Sequence, residues 1–389
     1  MPSRPRRLHL HLVEVPLKTP FRHAAHARHS SLNVVVGLET ADGIQGWGEC
    51  LPREYVTGET AEGVHRIIRS AAGSVAWPRC ESVESFIHGL ESVADSLLPD
   101  HPSARCALDL ALIDLGARIL EISAMEIVRL LAERLGLPLR DASRPVIVSG
   151  VIGEGDLWPI TKRAMKMRLF GLRQIKVKVG TDLEGDIARL KRLRRVFGRR
   201  TDLRVDANGA WSFEEAVAAV GALSTFRISS VEQPLARGDE PHLPRLRQAV
   251  DVPIALDESL TSLADARRAI RERECDLFNI RLSKCGGVVT SLRIFEEARR
   301  AKRGAWLGCM VGESPLLSSA GRAFALTVDG LCHFEGSYDR HLLGEFLFEP
   351  AMGFGWGGRA KPHGGHGWGV RLNRELLDKW SQRSDHIDL

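Results

Sequence analysis

The sequence predicts an α/β fold in which an eight-stranded, (β/α)8-type barrel follows a smaller α+β region. Three observations support this prediction. From Pro145 onward, short runs of β-branched and apolar residues alternate with amphipathic segments, which is the pattern of βα units around a parallel sheet. Eight such runs occur, which favours a closed barrel over an open sheet. The chain before Pro145 lacks this alternation, so we expect it to fold separately.

The predicted barrel strands are the eight apolar runs themselves. In chain order they are Val146–Val151, Gln174–Val179, Leu203–Ala207, Ile228–Glu232, Ile254–Asp257, Leu277–Leu282, Trp306–Met310 and Leu331–Glu335. Between them, segments such as Leu183–Phe197 and Phe213–Leu223 carry apolar residues three and four positions apart, as crossover helices do. This arrangement places the carboxyl ends of all strands at one rim.

The region before the barrel begins with a predicted β-hairpin. Asn33–Glu39 is one strand, Ala41–Gly43 the turn and Ile44–Gly48 the second strand. Between residues 61 and 120, apolar residues recur at helical spacing, interrupted by prolines. We therefore divide the chain into an α+β region at residues 1–140, the barrel at 141–350 and a C-terminal segment at 351–389.

Composition and charge exclude several classes of protein. The chain of 389 residues is 44% apolar, and its net charge of +5 comes from 54 basic and 49 acidic residues. The basic residues are scattered, which argues against a nucleic-acid partner. The sequence contains no run of about 18 apolar residues, so no membrane partner is expected. The seven cysteines form no C-x-x-C pair and indicate free thiols. Without a signal-peptide core, we expect a cytoplasmic protein.

The residues at the carboxyl ends of the second to sixth predicted strands are mostly ionisable. In a barrel such strand ends converge on one mouth, where active sites are built. In strand order they are Lys176 and Lys178, Asp206 and Asn208, Glu232, Asp257 and Glu258, and Lys284.

Three carboxylates on successive strands predict a metal site. A single acid would be better explained as a helix cap or a surface residue. Asp206, Glu232 and Asp257 together would repel one another in a shared mouth unless a cation lay between them. Oxygen ligands without Cys or His favour Mg²⁺, with Mn²⁺ as the alternative. Glu258 points away from its neighbour Asp257 in an extended strand, so it and Asn208 are expected to support the ligands from behind.

The lysines are the candidate acid and base groups. Lys176 and Lys178 are two residues apart, so their side chains share one face and each ammonium makes the other harder to charge. Lys284 should face them across the mouth, because four strands separate the two positions in a ring of eight. Lysines on both sides of a metal-bound carboxylate predict removal of the α-proton to give an enolate that the metal stabilises.

The same residues resemble those of a known family. The stretches KVKVG, VDANGAW, VEQPL, LDES and NIRLSKCGG are similar to the pattern of the muconate lactonizing enzyme subgroup of the enolase superfamily. A lysine base working with Mg²⁺ is established chemistry of that superfamily. The resemblance implies that residues 1–140 cap the barrel mouth, that the C-terminal segment packs back on this capping domain, and that the protein is a homo-oligomer.

Within the superfamily, the sequence favours the subgroup that uses lysines. The mandelate racemase subgroup has a histidine on its seventh strand, and the seventh strand here, residues 306–313, contains none. Members with the metal and the lysine pair include dipeptide epimerases, cycloisomerases, o-succinylbenzoate synthases and N-succinylamino acid racemases. We expect a racemase or epimerase of the dipeptide type acting on a small carboxylate, with the other three activities as alternatives.

Candidate substrate contacts also follow from the resemblance. The segments Phe21–His23 and Pro52–Glu59 look like the loops that cap the mouth, and TGET, residues Thr57–Thr60, is similar to the cap loop of dipeptide epimerases. Arg22 is expected to bind a substrate carboxylate through two parallel hydrogen bonds. Tyr55 and Thr57 are expected beside it.

The eighth strand departs from the family pattern. Many dipeptide epimerases carry Asp-x-Asp there to hold the substrate's ammonium group, whereas this chain reads EGSYD from Glu335 to Asp339. We expect Glu335 and Ser337 to contact the substrate. Compared with Asp-x-Asp, this segment keeps acidic residues but spaces them differently.

Two other functions fit only part of the pattern. A barrel lysine could form a Schiff base, but the three acids would then have no role. A barrel kept for binding or structure alone would not need three acids and two lysines at one rim.

Overall fold

The computed structural model describes residues 4–23, 26–75, 77–94 and 96–389, with the side chains of residues 19–28 outside that description. The strands are β1 (Pro5–His23), β2 (His26–Thr40), β3 (Gln45–Cys50), β4 (Val146–Ile147), β5 (Gly150–Ile152), β6 (Gln174–Lys178), β7 (Asp202–Asp206), β8 (Ile228–Glu232), β9 (Ile254–Leu256), β10 (Leu277–Ile280), β11 (Gly304–Leu307), β12 (Phe348–Glu349), β13 (Arg359–Ala360), β14 (Arg371–Leu372) and β15 (Ser381–Asp388). The helices are α1 (Glu54–Thr57), α2 (Ala61–Ala71), α3 (Val83–Ala94), α4 (Pro102–Ile119), α5 (Ala124–Arg134), α6 (Leu157–Leu169), α7 (Leu183–Phe197), α8 (Phe213–Ser224), α9 (Leu243–Ala249), α10 (Leu263–Arg271), α11 (Gly287–Arg300), α12 (Pro315–Thr327), α13 (Asp339–Leu342) and α14 (Arg374–Trp380).

The first sheet is antiparallel and takes its strands from both ends of the chain. Its order is β15-β1-β2-β3. The predicted hairpin is confirmed, since β2 and β3 pair from Val34 with Cys50 to Glu39 with Gln45, and Gly43 in the turn has a φ of 85°. β15 pairs with β1, so the last strand of the chain lies at the edge of this sheet. The domain limits at residues 140 and 350 stay predictions.

The second sheet forms the barrel. Seven parallel strands follow one another in the order β5-β6-β7-β8-β9-β10-β11, with a helix between each pair. The ring is closed by the eighth predicted run, where Phe334 bridges Leu307 on one side and Val148 on the other. The amide of Glu335 donates to the carbonyl of Leu307, and the amide of Ser149 to that of Phe334. The predicted eight-stranded α/β barrel is therefore confirmed.

Some strands are shorter than the runs that predicted them. Val146 and Ile147 pair antiparallel with Ala360 and Arg359 outside the barrel, so the first barrel strand begins only at Gly150. The eighth run makes bridges rather than a regular strand. β10 and β11 also end before the predicted runs do, because the chain turns into the loops of the rim.

The N-terminal region lies against the rim at which the barrel strands end. The amide of Leu51, directly after β3, donates to Ser283 Oγ at 2.8 Å in the loop after β10. Arg237, in the loop after β8, donates to the carbonyl of Val56 on α1 at 2.7 Å. These contacts place the region over the mouth of the barrel.

Helix α4 connects the two regions by packing on β3 and on α11. Gly48 permits the close approach to β3, because a Cβ atom there would lie 1.9 Å from the carbonyl oxygen of Ala107. Although α4 has 18 residues, it carries several charged ones. Across the described ranges, no helix is both long and apolar enough to cross a membrane.

Replacing Gly48 by alanine is expected to lower the free energy of unfolding by about 2 kcal/mol, because the added methyl group overlaps the backbone of α4. Gly73→Ala is the matched control, since nothing lies within 4 Å of its added methyl group. The control should change stability by less than about 0.5 kcal/mol. Urea denaturation followed by circular dichroism measures both variants, and equal losses would contradict the close packing of α4 on β3.

Candidate active site

The three predicted acids lie side by side at the rim of the barrel. Asp206 and Glu232 are the last residues of β7 and β8 and are paired in register. Asp257 directly follows β9. All three residues are 0% exposed. The parallel ladder explains their proximity, because strands that are in register end at the same rim.

Each acid contacts a different donor from another strand or its end. The contacts are Lys178 Nζ to Asp206 Oδ2 at 2.7 Å, Asn279 Nδ2 to Glu232 Oε1 at 2.6 Å, and Arg281 Nη2 to Asp257 Oδ2. Hydrogen bonds to a carboxylate favour its charged form and so oppose the effect of burial.

The acids differ in how well their charge is compensated. Burial raises the pKa of Glu232 to about 8, and the charge of Asp206 adds to this effect. Burial also raises the pKa of Asp257. For Asp206 burial acts in the same direction, but the charges of Lys178 and Lys176 outweigh it and hold the pKa of Asp206 below its usual value. Around Glu232 and Asp257 the effect of burial therefore outweighs that of the neighbouring cations Lys176 and Arg281.

The acids have the chemistry needed to bind a hard divalent cation. Asp257 Oδ1 and Glu258 Oε2 are buried and accept no hydrogen bond from any described residue, which leaves lone pairs for a ligand. Oxygen donors suit Mg²⁺ or Mn²⁺. Within the part of the chain that the structure describes, no three acidic, His or Cys side chains are gathered closely enough to hold one ion. The ligand set Asp206, Glu232 and Asp257 therefore stays a prediction.

Lys176 is surrounded by carboxylates. Its Nζ lies 2.7 Å from Glu335 Oε2, 3.2 Å from Glu232 Oε2 and 3.4 Å from Asp206 Oδ2. Burial lowers its pKa, but Glu232, Glu335 and Asp206 raise it by more, so the net shift is upward. We expected the neighbouring Lys178 to make Lys176 harder to charge. The three carboxylates reverse this effect, so Lys176 neutralises buried charge and is poorly suited to accept a proton.

Lys178 is the lysine of the pair that reaches the mouth. Its side chain is 18% exposed, and Nζ donates to Asp206 Oδ2 at 2.7 Å and to Asn208 Oδ1 at 2.5 Å. Asn208 in turn donates from Nδ2 to Glu258 Oε1 at 3.0 Å. Asn208 thus links the Lys178 amino group to the carboxylate of Glu258, and the supporting role of Asn208 and Glu258 at a metal site stays a prediction. These contacts fix the position of the Lys178 amino group.

Lys284 does not lie where the sequence predicted. β10 ends at Ile280, and the chain then turns, so Lys284 lies beyond the strand end. The residue is 1% exposed, and Nζ donates to the carbonyls of Asp257, Leu260 and Asn279 at 2.8, 2.6 and 2.8 Å. An ammonium group has three hydrogens, and these carbonyls accept all of them. This geometry corrects the expectation that Lys284 faces the substrate: the side chain holds the loops together.

Arg281 takes the place at the rim that Lys284 was expected to have. Its Nη2 donates to Asp257 Oδ2 and lies 3.4 Å from Glu232 Oε1. Asn279, two residues earlier, also contacts Glu232, so both side chains share the inner face of β10. The alternation along the strand was the signal that could have identified Arg281 from the sequence.

Gln233 is a second residue that the sequence analysis missed. Its Oε1 accepts from the amides of Asp257 and Ser259 at 3.0 and 3.2 Å, and its Nε2 donates to Ser259 Oγ at 2.8 Å. It fixes the end of β9 and therefore orients Asp257. Its backbone φ of 39° is uncommon for a residue other than glycine and marks a constrained turn at the rim.

The two expected contacts on the eighth strand are engaged within the protein. Glu335 accepts from Arg204 Nη2 at 2.5 Å and lies 2.7 Å from Lys176 Nζ, and the two cations hold the pKa of Glu335 at about 2 although burial opposes this. Ser337 is 0% exposed, and its Oγ accepts from Arg322 Nε at 3.2 Å. Their polar atoms pair inside the barrel wall, and the expectation that they contact the substrate stays a prediction.

The expected contacts in the N-terminal region remain predictions. Tyr55 lies on α1 and is 50% exposed. Thr57 Oγ1 lies 3.4 Å from Ser103 Oγ on α4. The side chain of Arg22 lies outside the described residues, so its role as a carboxylate ligand stays a prediction.

Both the N-terminal region and the barrel are similar to known protein families. The model described as Mandelate racemase / muconate lactonizing enzyme, N-terminal domain, matches residues 7–129, and that described as Enolase C-terminal domain-like matches residues 160–376. The chain is 29% identical over 311 residues to the hydrophobic dipeptide epimerase of Enterococcus faecalis, covering 80% of this chain and 84% of that one. It is 32% identical over 327 residues to the L-Lys-D/L-Arg epimerase of Methylococcus capsulatus, covering 83% and 88%. The dipeptide epimerase of Cytophaga hutchinsonii, complexed with Mg and D-Ala-L-Val, superposes with a TM-score of 0.85 at 25% identity over 100% of both chains.

Replacing Lys284 by methionine is expected to lower the free energy of unfolding by about 3 kcal/mol or more, because three buried carbonyls lose their donor. Lys178→Met is the matched control. Its side chain is partly exposed and donates two hydrogen bonds, so the loss should be about 1.5 kcal/mol, the lower value for bonds to charged groups. Urea denaturation compares the two variants, and a larger loss for Lys178→Met would contradict the structural role of Lys284.

Proposed function

Because the chain belongs to the mandelate racemase/muconate lactonizing enzyme family, we propose that it is a divalent-metal-dependent isomerase of the racemase or epimerase kind. It removes the proton α to a substrate carboxylate. The observation that carries this proposal is the amino group of Lys178, which is partly exposed at the mouth and held beside the row of buried acids. A positioned amine next to a site for positive charge is what α-proton abstraction requires.

The proposed substrate is a dipeptide or an N-acylated amino acid with a free carboxylate. Relatives with this overall length are epimerases of dipeptides, and one is an N-succinyl-L-Arg/Lys racemase. Glu335, at the place where many dipeptide epimerases hold an ammonium group, is already paired with Arg204 and Lys176. N-acylated amino acids carry no such ammonium group, so the pairing of Glu335 is compatible with them as substrates.

The residues divide the work between them. A divalent cation, Mg²⁺ or Mn²⁺, held by Asp206, Glu232 and Asp257 would stabilise negative charge on the substrate carboxylate. Lys178 takes the α-proton at Nζ. Lys176 keeps the acids from repelling one another, and the N-terminal region limits the access of water to the mouth. Exclusion of water strengthens every charge interaction in the site.

A second candidate function is a one-base reaction of the cycloisomerase, o-succinylbenzoate synthase or lyase type. In such a reaction one lysine moves a proton and a cation on the other face stabilises charge. The observation that favours it is the burial of Lys284 with all its hydrogens donated to carbonyls.

The proposed enzyme acts on a small carboxylate in the cytoplasm as a homo-oligomer.

Exchange of the α-proton in D₂O tests the proposed function. With Mg²⁺ and a panel of L,L-dipeptides, including L-Ala-L-Glu, and N-succinyl-L-amino acids, proton NMR should show loss of the α-proton signal for at least one member. Lys178→Ala should slow this exchange by about 10²- to 10⁴-fold, the contribution of a positioned base. Chelation by EDTA should abolish exchange, and added Mg²⁺ should restore it.

The control for the lysine variant is Lys191→Ala on the exposed face of α7, which should exchange at the wild-type rate. No exchange with any panel member, in protein that is folded and supplied with Mg²⁺, would contradict the proposed function.

A further inference from the structure

We propose that Arg281, rather than a lysine, occupies the second face of the substrate, where it stabilises negative charge as a fixed cation and moves no proton. The inference rests on the α-proton removal of the proposed function and, of its two candidate reactions, selects the one-base reaction over racemisation or epimerisation. It leaves Lys178 as the base, on one face only. The enzyme would then return the proton to the face from which it was taken.

The position of Arg281 places it opposite Lys178 along the row of acids. Lys178 approaches the row from β6, which neighbours β7. Arg281 approaches from the other end, directly after β10, which neighbours β9. Its guanidinium contacts Asp257 Oδ2 and Glu232 Oε1, the latter at 3.4 Å. A carboxylate bound over the acids would therefore have an amine on one side and a guanidinium on the other.

Part of the guanidinium remains available to a ligand. Arg281 is 9% exposed, and its Nε has no hydrogen-bond acceptor among the described residues. Nη1 donates to Met310 Sδ at 3.7 Å, and a thioether is a weak acceptor. Leaving a buried donor without an acceptor costs free energy. These N–H groups therefore indicate an anionic partner in the mouth, and the carboxylate of a substrate has that chemistry.

The two other lysines near the rim are already engaged. Lys284 donates its three hydrogens to backbone carbonyls. Lys176 lies among the carboxylates of Glu335, Glu232 and Asp206 and is 4% exposed. Neither amino group is placed to approach the α-carbon from the side of Arg281.

The chemistry of the two cations differs in one decisive respect. A neutral lysine amine has a lone pair that accepts a proton, whereas a guanidinium has five N–H donors, no acceptor and a charge that it does not lose in proteins. In the forward step the α C–H bond breaks, its proton bonds to Lys178 Nζ, and the electron pair moves onto the substrate carboxylate. Arg281 stabilises that charge through N–H donation. In the return step Lys178 gives a proton back to the carbon.

The stereochemical consequence can be measured. The ammonium hydrogens of Lys178 exchange with solvent, so in D₂O the carbon receives deuterium on the same face and keeps its configuration. Inversion needs a proton from the side of Arg281, where the described residues place no acid and base pair. A positioned general acid or base contributes about 10²- to 10⁴-fold in rate, so inversion should lag exchange by about 100-fold or more.

The experiment measures exchange and inversion in the same NMR tube, with Mg²⁺ and the panel of L,L-dipeptides and N-succinyl-L-amino acids. The wild-type protein should deuterate the L substrate about 100-fold faster than it forms the D product. Arg281→Lys supplies an amine on the second face and should bring inversion to within about 10-fold of exchange. Arg281→Met should lose exchange and inversion together, because the charge on that face is gone.

A binding measurement gives a readout that does not depend on turnover. Oxalate is a planar dianion that resembles the charge of an enediolate, and its affinity in the presence of Mg²⁺ can be measured by calorimetry. Arg281→Met should weaken oxalate binding by about 10-fold, as loss of a charge-assisted contact does. Lys191→Ala should bind oxalate like the wild-type protein.

Two results would overturn the inference and leave the proposed function standing. One is inversion as fast as exchange in the wild-type protein that persists in Arg281→Met. The other is oxalate affinity unchanged in Arg281→Met. Absence of exchange for every substrate in folded, Mg²⁺-supplied protein would instead contradict the proposed function itself.

Discussion

Burial of three carboxylates on neighbouring strands is the constraint from which the rest of the barrel mouth follows. Asp206, Glu232 and Asp257 are 0% exposed, and a buried charge is tolerated only where other charges and hydrogen bonds compensate it. The compensation comes from the strands on both sides, with Lys176 and Lys178 from β6 and Arg281 from the end of β10. The acids thus dictate which residues line both ends of their row, and this leaves two chemically different cations facing each other across it.

The same constraint ties the rim to the remainder of the fold. The cations and donors compensate the buried acids only while the strand ends keep their positions. The loops that carry the acids and Arg281 are in turn held by contacts from other parts of the protein. Lys284 joins the loops after β9 and β10, Gln233 fixes Asp257, and the amide of Leu51 binds Ser283 from the N-terminal region. The covering region therefore does more than close the mouth. It supports the loop that carries Arg281, so packing far from the acids affects the charges beside them.

The sequence predicted the barrel, the hairpin and the row of acids because each depends on local pattern or on the shared rim of parallel strands. It misplaced the sixth-strand cation because the run Leu277–Leu282 continues past the residue at which β10 ends. Alternation from Asn279 continues to Arg281 and so places Arg281 at the mouth, whereas Lys284 lies beyond the turn that follows β10. The pairing of Glu335 with Arg204 is a contact across the barrel interior. A contact between residues so far apart in the sequence cannot be predicted from local pattern, because it depends on the positions of all the strands.

An arginine at the end of β10 satisfies two requirements that a lysine would satisfy differently. One nitrogen of its planar guanidinium contacts both Asp257 and Glu232, while the N–H groups on the other two nitrogens do not contact these acids. One residue can therefore neutralise the acids and also donate to a ligand. A lysine has fewer donors, but its neutral amine can accept a proton. The exchange of one cation for the other leaves the charge of the rim unchanged and alters only whether a proton can move on that side. Retention or inversion of the α-carbon can therefore be decided by one side chain, while the fold, the acids and Lys178 stay the same.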